Sequence, residues 1–228
     1  EDEHPDAADT YAKLARRLGT WLSGSTGAGT LYDIDLRLRP NGDAGFLVHS
    51  LAAFEKYQRE EAWTWEHQAL SRARFVCGSR AIGGAFERIR RSILAGERDT
   101  AALREDIAAM RAKIAASHPP QPENVKYAAG GIVDVEFCVQ YLILAHSRRH
   151  PELLENYGNI ALLEMAARRR LADPQQAAAA VAAYRRFRYL QHRTSLHDQQ
   201  PEAAAASDYA AVRVLWRSLF GSETPAAA

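Results

Sequence analysis

The sequence predicts a mainly α chain: a partial α+β region over residues 1–78, followed by an α-helical bundle over residues 79–228. Three observations carry that reading. From about residue 50 onward, apolar residues recur at three- and four-residue spacing, the signature of amphipathic helices. One segment near the front, LYDIDLRLRP (residues 31–40), alternates with a period of two instead, as a half-buried strand does. Loop signals separate the periodic stretches, above all the proline-rich HPPQPEN at 118–124, which no helix can cross.

Each element follows in order. Residues 6–22 read as a helix with Tyr11, Leu14, Leu18 and Trp21 at helical spacing. SGSTGAGT (23–30) is a flexible loop by composition. The strand at 31–40 follows, then the turn NGDAG (41–45) and a short partner strand at FLV (46–48). Ser50 is placed to cap a helix through Leu51, Phe54 and Tyr57. AWTWEHQALSRAR (62–74) and AFERIRRSIL (85–94) read as helices. Residues 99–117 give a stripe of Leu103, Ile107, Met110 and Ile114. Residues 130–146 are apolar on most sides, which places that helix in the middle of a bundle. Further helices are expected at 159–170, 174–196 and 207–220, with Asp173 before Pro174 as a start signal and Gly221 as a stop. One long strand and one short one do not make a stable sheet. The remaining strands are therefore expected upstream of residue 1, and the chain, beginning as it does with Glu1, reads as a piece of something longer or a processed product.

Composition narrows the function. Twenty-nine basic and 28 acidic residues leave a net charge of +1, so no global field draws the chain to nucleic acid or a membrane surface. There is no signal peptide and no apolar run long enough to span a bilayer. Two distant cysteines, Cys77 and Cys138, make no disulfide framework and suit a reducing cytoplasm. His146 and His150 lack the glutamate of a metalloprotease helix. Any electrostatic site must be local.

The strand at 31–40 offers one. Tyr32, Ile34, Leu36 and Leu38 share a face; Asp33, Asp35, Arg37 and Arg39 share the other. A solvated face with charges pairing across strands accounts for this pattern. So does a metal–triphosphate site, because carboxylates suit Mg²⁺ and the guanidinium fork suits phosphate. Arg72 and Arg74 add guanidinium groups soon after, on one face only if their segment is extended. Trp63 and Trp65 point to different sides of a helix, which suits core packing on one side and inter-domain packing on the other, with base stacking as the minority reading. Gly130 and Gly131, with Asp134 in the first turn of a helix, admit an anion at the free N–H groups or simply favour the helix dipole. Glu136 and Gln140 put polar groups on an otherwise apolar helix, and a buried carboxylate there calls for an arginine or amide partner. The cluster Arg185, Arg186, Arg188 and Arg193, with Arg168 to Arg170, reads as a solvated helix face or, interleaved with Phe187 and Tyr189, as an RNA-binding one.

Taken together, two long blocks, LYDIDLRLRPNGDAGFLVHSLAAFEKYQREEAWTWEHQALSRAR and GGIVDVEFCVQYLILAH, followed by YGNIALLEMAARRRL, resemble the glutamine synthetase adenylyltransferase family from about residue 8 to the end. EAWTWEHQAL is more similar to the C-terminal, AMP-adding unit of that bifunctional family than to the adenylyl-removing one. The resemblance implies that residues 1–78 are the back part of a nucleotidyltransferase domain and residues 79–228 a helical bundle of the adenylyltransferase/uridylyltransferase type. It implies transfer of AMP from ATP to a tyrosine of glutamine synthetase in the bacterial cytosol, with Mg²⁺ as cofactor and a PII-type signal protein and glutamine as regulators. Ile34-Asp35-Leu36 matches the family's hydrophobic–Asp–hydrophobic carboxylate, so Asp35 is the expected catalytic and metal-binding residue. Arg37, Arg39, Arg72 and Arg74 are the expected phosphate-binding groups. Asp33 does not match that pattern, and the family's Gly-Ser loop and Asp-x-Asp pair have no match here, so the segment alone is expected to be inactive. A non-catalytic helical module that recognises glutamine synthetase or a signal protein is the alternative.

Overall fold

The computed structural model describes residues 6–30, 32–36, 39–42, 45–118, 124–197 and 204–225. It is mainly α. Helix α1 (Ala7–Ser23) leads into a minimal antiparallel hairpin, β1 (Ser25–Thr26) and β2 (Gly29–Thr30). Then come α2 (Leu51–Glu60), α3 (Thr64–Leu70), α4 (Arg80–Leu94), α5 (Thr100–Ser117) and α6 (Ile132–His146). A short 3-10 turn (Pro151–Leu154) precedes α7 (Asn159–Arg168), α8 (Pro174–His197) and α9 (Ala206–Phe220).

Helix α6 is the axle. Eleven of its residues are buried, and α3, α5, α7, α8 and α9 all pack on it. Surrounded in this way, it has no need of a polar face. Against it α5 turns Leu103 and Ile107 fully inward, with Met110 and Ile114 partly covered. Trp216 of α9 is fully buried and stacks on Phe220 at 4.1 Å between ring centroids. Local signals set the ends. The Ser50 hydroxyl accepts from Ala53 N–H at 3.1 Å, Asp99 and Asp173 accept from first-turn amides, and Gly221 closes α9 in the left-handed region at φ 69°.

One buried ion pair locks α5 to α6. Arg111 and Asp134 are both fully enclosed, with Arg111 Nε donating to Asp134 Oδ1, Arg111 Nη2 donating to Tyr127 O at 3.0 Å, and Gly130 N–H donating to Asp134 Oδ2. Gly130 sits at φ 87°, and a Cβ there would lie 2.3 Å from Tyr209 O. The glycine is therefore demanded by the close approach of α9, not by an anion. Asp134 serves the ion pair in addition to its place in the first turn.

The front of the chain departs from expectation. Residues 32–36 and 46–48 are not strands, and Leu31, Arg37 and Leu38 lie outside the described residues. A strand is held by hydrogen bonds to a neighbouring strand, and residues 32–36 pair with none among the described residues. The apolar side of this segment is correspondingly uncovered: Tyr32 is 57% and Leu36 45% exposed. The stretch read as a flexible loop instead forms the β1–β2 hairpin, whose Thr26 hydroxyl donates to Gly29 O at 2.8 Å. Residues 62–74 are helical only to Leu70, because the chain turns at Ser71. Cys138 is buried in α6 and Cys77 exposed in the loop before α4. Among the described residues no helix is long and apolar enough to cross a membrane.

Candidate active site

A cavity of about 330 Å³ opens where α2, α3 and α4 meet the segment at 39–40. Arg39, Pro40, Gln58, Glu66 and Arg72 contribute its polar and turn positions. Phe54 and Phe86, whose rings pack 5.8 Å apart, supply an aromatic wall. Two of the expected arginines, Arg39 and Arg72, thus come together although they lie 33 residues apart in sequence. Arg39 Nη1 donates to Leu36 O, and Asp35 is not among the cavity's lining residues. Asp35 is exposed, four residues before Arg39. Arg37 lies outside the described residues, and Arg74 is exposed and not among the cavity's lining residues.

The cavity walls are fixed from behind. Glu66 is buried at the third position of α3. Its Oε2 accepts from Trp63 N–H and its Oε1 from Tyr57 Oη, each at 2.9 Å. This ties the start of α3 to α2. His67 Nε2 lies 2.9 Å from Gln58 O and its Nδ1 lies 3.3 Å from Arg98 Nη2. Burial, with the Arg98 charge beside it and against the Gln58 carbonyl, holds His67 below the ordinary histidine value, and a ring that donates from Nε2 to that carbonyl and accepts at Nδ1 from Arg98 satisfies both contacts. Arg90, 1% exposed, donates to the carbonyls of Leu70, Ser71 and Leu154 at 2.9–3.2 Å and clamps the backbone just before Arg72.

Arg72 also reaches the bundle. Its Nη1 donates to Asn159 Oδ1 at 2.8 Å, and Asn159 Nδ2 donates to Tyr184 Oη at 2.9 Å. Glu136 of α6 sits in this neighbourhood. Burial pushes its carboxyl above the ordinary range, opposed by Arg72, Arg188, Lys126 and the Tyr184 hydroxyl. Gln140, one turn on, accepts from Gln68 Nε2 at 2.8 Å. The polar pair on α6 therefore faces the C-terminal end of α3.

Trp63 is 71% and Trp65 37% exposed, so neither is a core residue, and neither lines the cavity. The buried face of α3 carries Glu66, Gln68 and Leu70 instead. The arginine cluster on α8 is largely engaged within the chain. Arg186 grips Asp208, Arg185 lies 3.5 Å from Glu164, Arg188 donates to Gln191 and Arg169 pairs with Glu152 at 2.6 Å.

Sequence reading passed over Glu66, Asn159 and Tyr184. A glutamate three residues into a helix is a recognisable capping signal, but nothing local marks Asn159 or Tyr184, whose partners are distant in sequence.

As to metal, Mg²⁺ takes oxygen ligands, often one or two carboxylates with substrate phosphates. Asp35 and its exposed neighbour Asp33 are donors of that type. No group of three or more candidate ligands converges among the described residues. The described residues therefore do not by themselves assemble a metal site.

Comparison with known proteins gives the same direction along the whole chain. Residues 1–89 match the family model for glutamate-ammonia ligase adenylyltransferase, and residues 101–218, just over half the chain, match that for GlnD PII-uridylyltransferase. Proteins named bifunctional glutamine synthetase adenylyltransferase/adenylyl-removing enzyme are similar throughout. The one from Neisseria meningitidis serogroup A is 59% identical over 100% of this chain and 26% of its own length. That from Chromobacterium violaceum is 54% identical over 96% of this chain and 25% of its own, and that from Nitrosomonas eutropha 45% over 97% and 26%. The chain thus spans about a quarter of the length of the curated relatives it matches. With identity this high from end to end and two family models matched in order, the chain belongs to the family of bifunctional glutamine synthetase adenylyltransferase/adenylyl-removing enzymes.

Proposed function

We propose that this chain is the part of an adenylyltransferase that carries Asp35 and the Arg39–Arg72 cavity, with residues 1–78 as the back of its nucleotidyltransferase domain and residues 79–228 as its helical domain. The reaction is transfer of AMP from ATP to a tyrosine of glutamine synthetase. The tyrosine oxygen forms a bond to the α-phosphorus, the bond to the bridging oxygen breaks, and pyrophosphate leaves. The phenolic proton passes to a carboxylate, for which Asp35 is the candidate. The observation that supports this reading best is the convergence of two guanidinium groups with an aromatic wall in one cavity of ligand size. Guanidinium groups there would hold phosphate oxygens and offset charge developing on them. Asp35, with the phosphates, would hold Mg²⁺, which supplies Lewis-acid polarisation when bound. Arg37 and Arg74 are second candidates for phosphate contact.

A PII-type signal protein is the proposed regulator, supported by the match of residues 101–218 to a PII-uridylyltransferase model. The proposed location is the bacterial cytosol, in keeping with two unpaired cysteines.

The test is Asp35→Asn in the intact enzyme. AMP incorporation into glutamine synthetase from labelled ATP should fall by roughly two or more orders of magnitude with the melting curve unchanged, as loss of a metal-positioning carboxylate does. Near-normal incorporation by the folded variant refutes the assignment of Asp35.

A further inference from the structure

We propose that Asn159 is a positioning residue for Arg72, and that through it the helical bundle sets the geometry of the phosphate-binding cavity. The inference rests on the reading of that cavity given above and extends it to a residue 87 positions away in sequence. A guanidinium on a long side chain is a good phosphate ligand only when its fork is held in place, because its rotamer freedom otherwise opposes binding. Arg72 is exposed, so packing alone does not hold it. Two devices do. Arg90 clamps the carbonyls of Leu70 and Ser71, which fixes where the Arg72 side chain departs. Asn159 then accepts from Arg72 Nη1 at 2.8 Å, which fixes where it ends.

Asn159 is suited to the second task. It is 4% exposed at the first turn of α7, and its amide orientation follows from its partners: the guanidinium of Arg72 can only donate and so takes Oδ1, which leaves Nδ2 to donate to Tyr184 Oη at 2.9 Å. Tyr184 is itself buried on α8. The chain of bonds therefore runs from the cavity wall through α7 to α8. It uses one of the five N–H donors of Arg72. A side chain needed only for packing at this point would not require an oxygen on one side and an N–H on the other.

The experiment is a double-mutant cycle in the intact enzyme, reading KM for ATP and kcat of AMP incorporation. Arg72→Ala should raise KM; if it changes neither constant, the cavity reading fails and this inference fails with it. Asn159→Leu should raise KM for ATP by about tenfold and kcat less, the scale of losing a hydrogen bond to a charged group. Asn159→Asp, which keeps an acceptor for the guanidinium, should recover most of that loss. In the Arg72→Ala background Asn159→Leu should add nothing. If the two losses instead multiply while Arg72→Ala is effective alone, Asn159 acts independently of Arg72 and the inference is overturned with the cavity reading intact. Should Asn159→Leu not fold, Tyr184→Phe, which removes only the hydroxyl, carries the same cycle. A roughly two- to threefold rise in KM that vanishes in the Arg72→Ala background supports the relay, and an equal rise in both backgrounds overturns it.

Discussion

Helices α1 and α6 are of similar length, 17 and 15 residues, and both carry a good share of apolar side chains. Their fates differ completely. In α1 no residue is buried, and Tyr11, Leu14, Leu18 and Trp21 are 46–69% exposed. In α6 eleven residues are buried around a paired aspartate. The stripe of α1 is the cleaner amphipathic pattern, yet α6 holds the molecule together. Periodicity says which face of a helix is available for burial. What converts it into stability is the presence of neighbours on every side, because apolar area contributes only where water is excluded.

The comparison can be broken most directly at its polar centre. Asp134→Ala would leave the enclosed Arg111 guanidinium and the Gly130 N–H without their acceptor, and should cost about 3–5 kcal/mol in urea unfolding. Trp21→Ala in α1 should change it by less than about 0.5 kcal/mol despite removing a far larger side chain. Equal effects would mean that α1 is more than an uncovered surface helix. Arg90→Met is the next step down. It leaves three backbone carbonyls short of their charged donor and should cost about 2–3 kcal/mol by the same measurement. A loss no larger than that of Trp21→Ala would show that the end of α3 is held by packing alone.

The smallest expected effect sharpens the contrast through pH. Glu136 has its folded carboxyl held above the ordinary value of 4.5 by burial. Below 4.5 both folded and unfolded forms are neutral there and stability is unaffected. As pH rises from 4.5 through the folded value, the unfolded chain ionises first, so the native state loses stability. Glu136→Gln removes that loss. Its melting temperature should therefore exceed the wild type's at pH 7, and the difference should shrink toward pH 4. A difference independent of pH would assign the effect to packing.

These residues also mark how far the sequence could be read. The helices of the bundle were legible, with start signals at Ser50 and Asp173, because their signals are local. So was the central place of α6, because a helix apolar on most sides has few other uses. Residues 31–40 misled because alternation describes a strand's faces and says nothing of whether a partner strand lies alongside. At the candidate site, residue type could not separate Arg39 and Arg72, which line the cavity, from Arg74, which does not, since the turn at Ser71 decides which of the latter two arginines reaches it. Glu66 and Asn159 were passed over for a related reason. Their importance lies in a partner on another element, Tyr57 in one case and Arg72 in the other.

The two thiols give the molecule a built-in handle for spectroscopy. Cys138 is sealed inside α6, where burial pushes its thiol well above the ordinary range and away from the reactive thiolate. Cys77 stands in the open, four residues beyond Ala73 of the cavity wall, on a loop that folds back so that the Phe75 ring lies over Gly83. A maleimide dye offered to the folded chain will therefore mark a single position. That position is close along the chain to Arg72, so the attached fluorophore can test whether a nucleotide offered to the protein enters the cavity, without any cysteine first being added or removed.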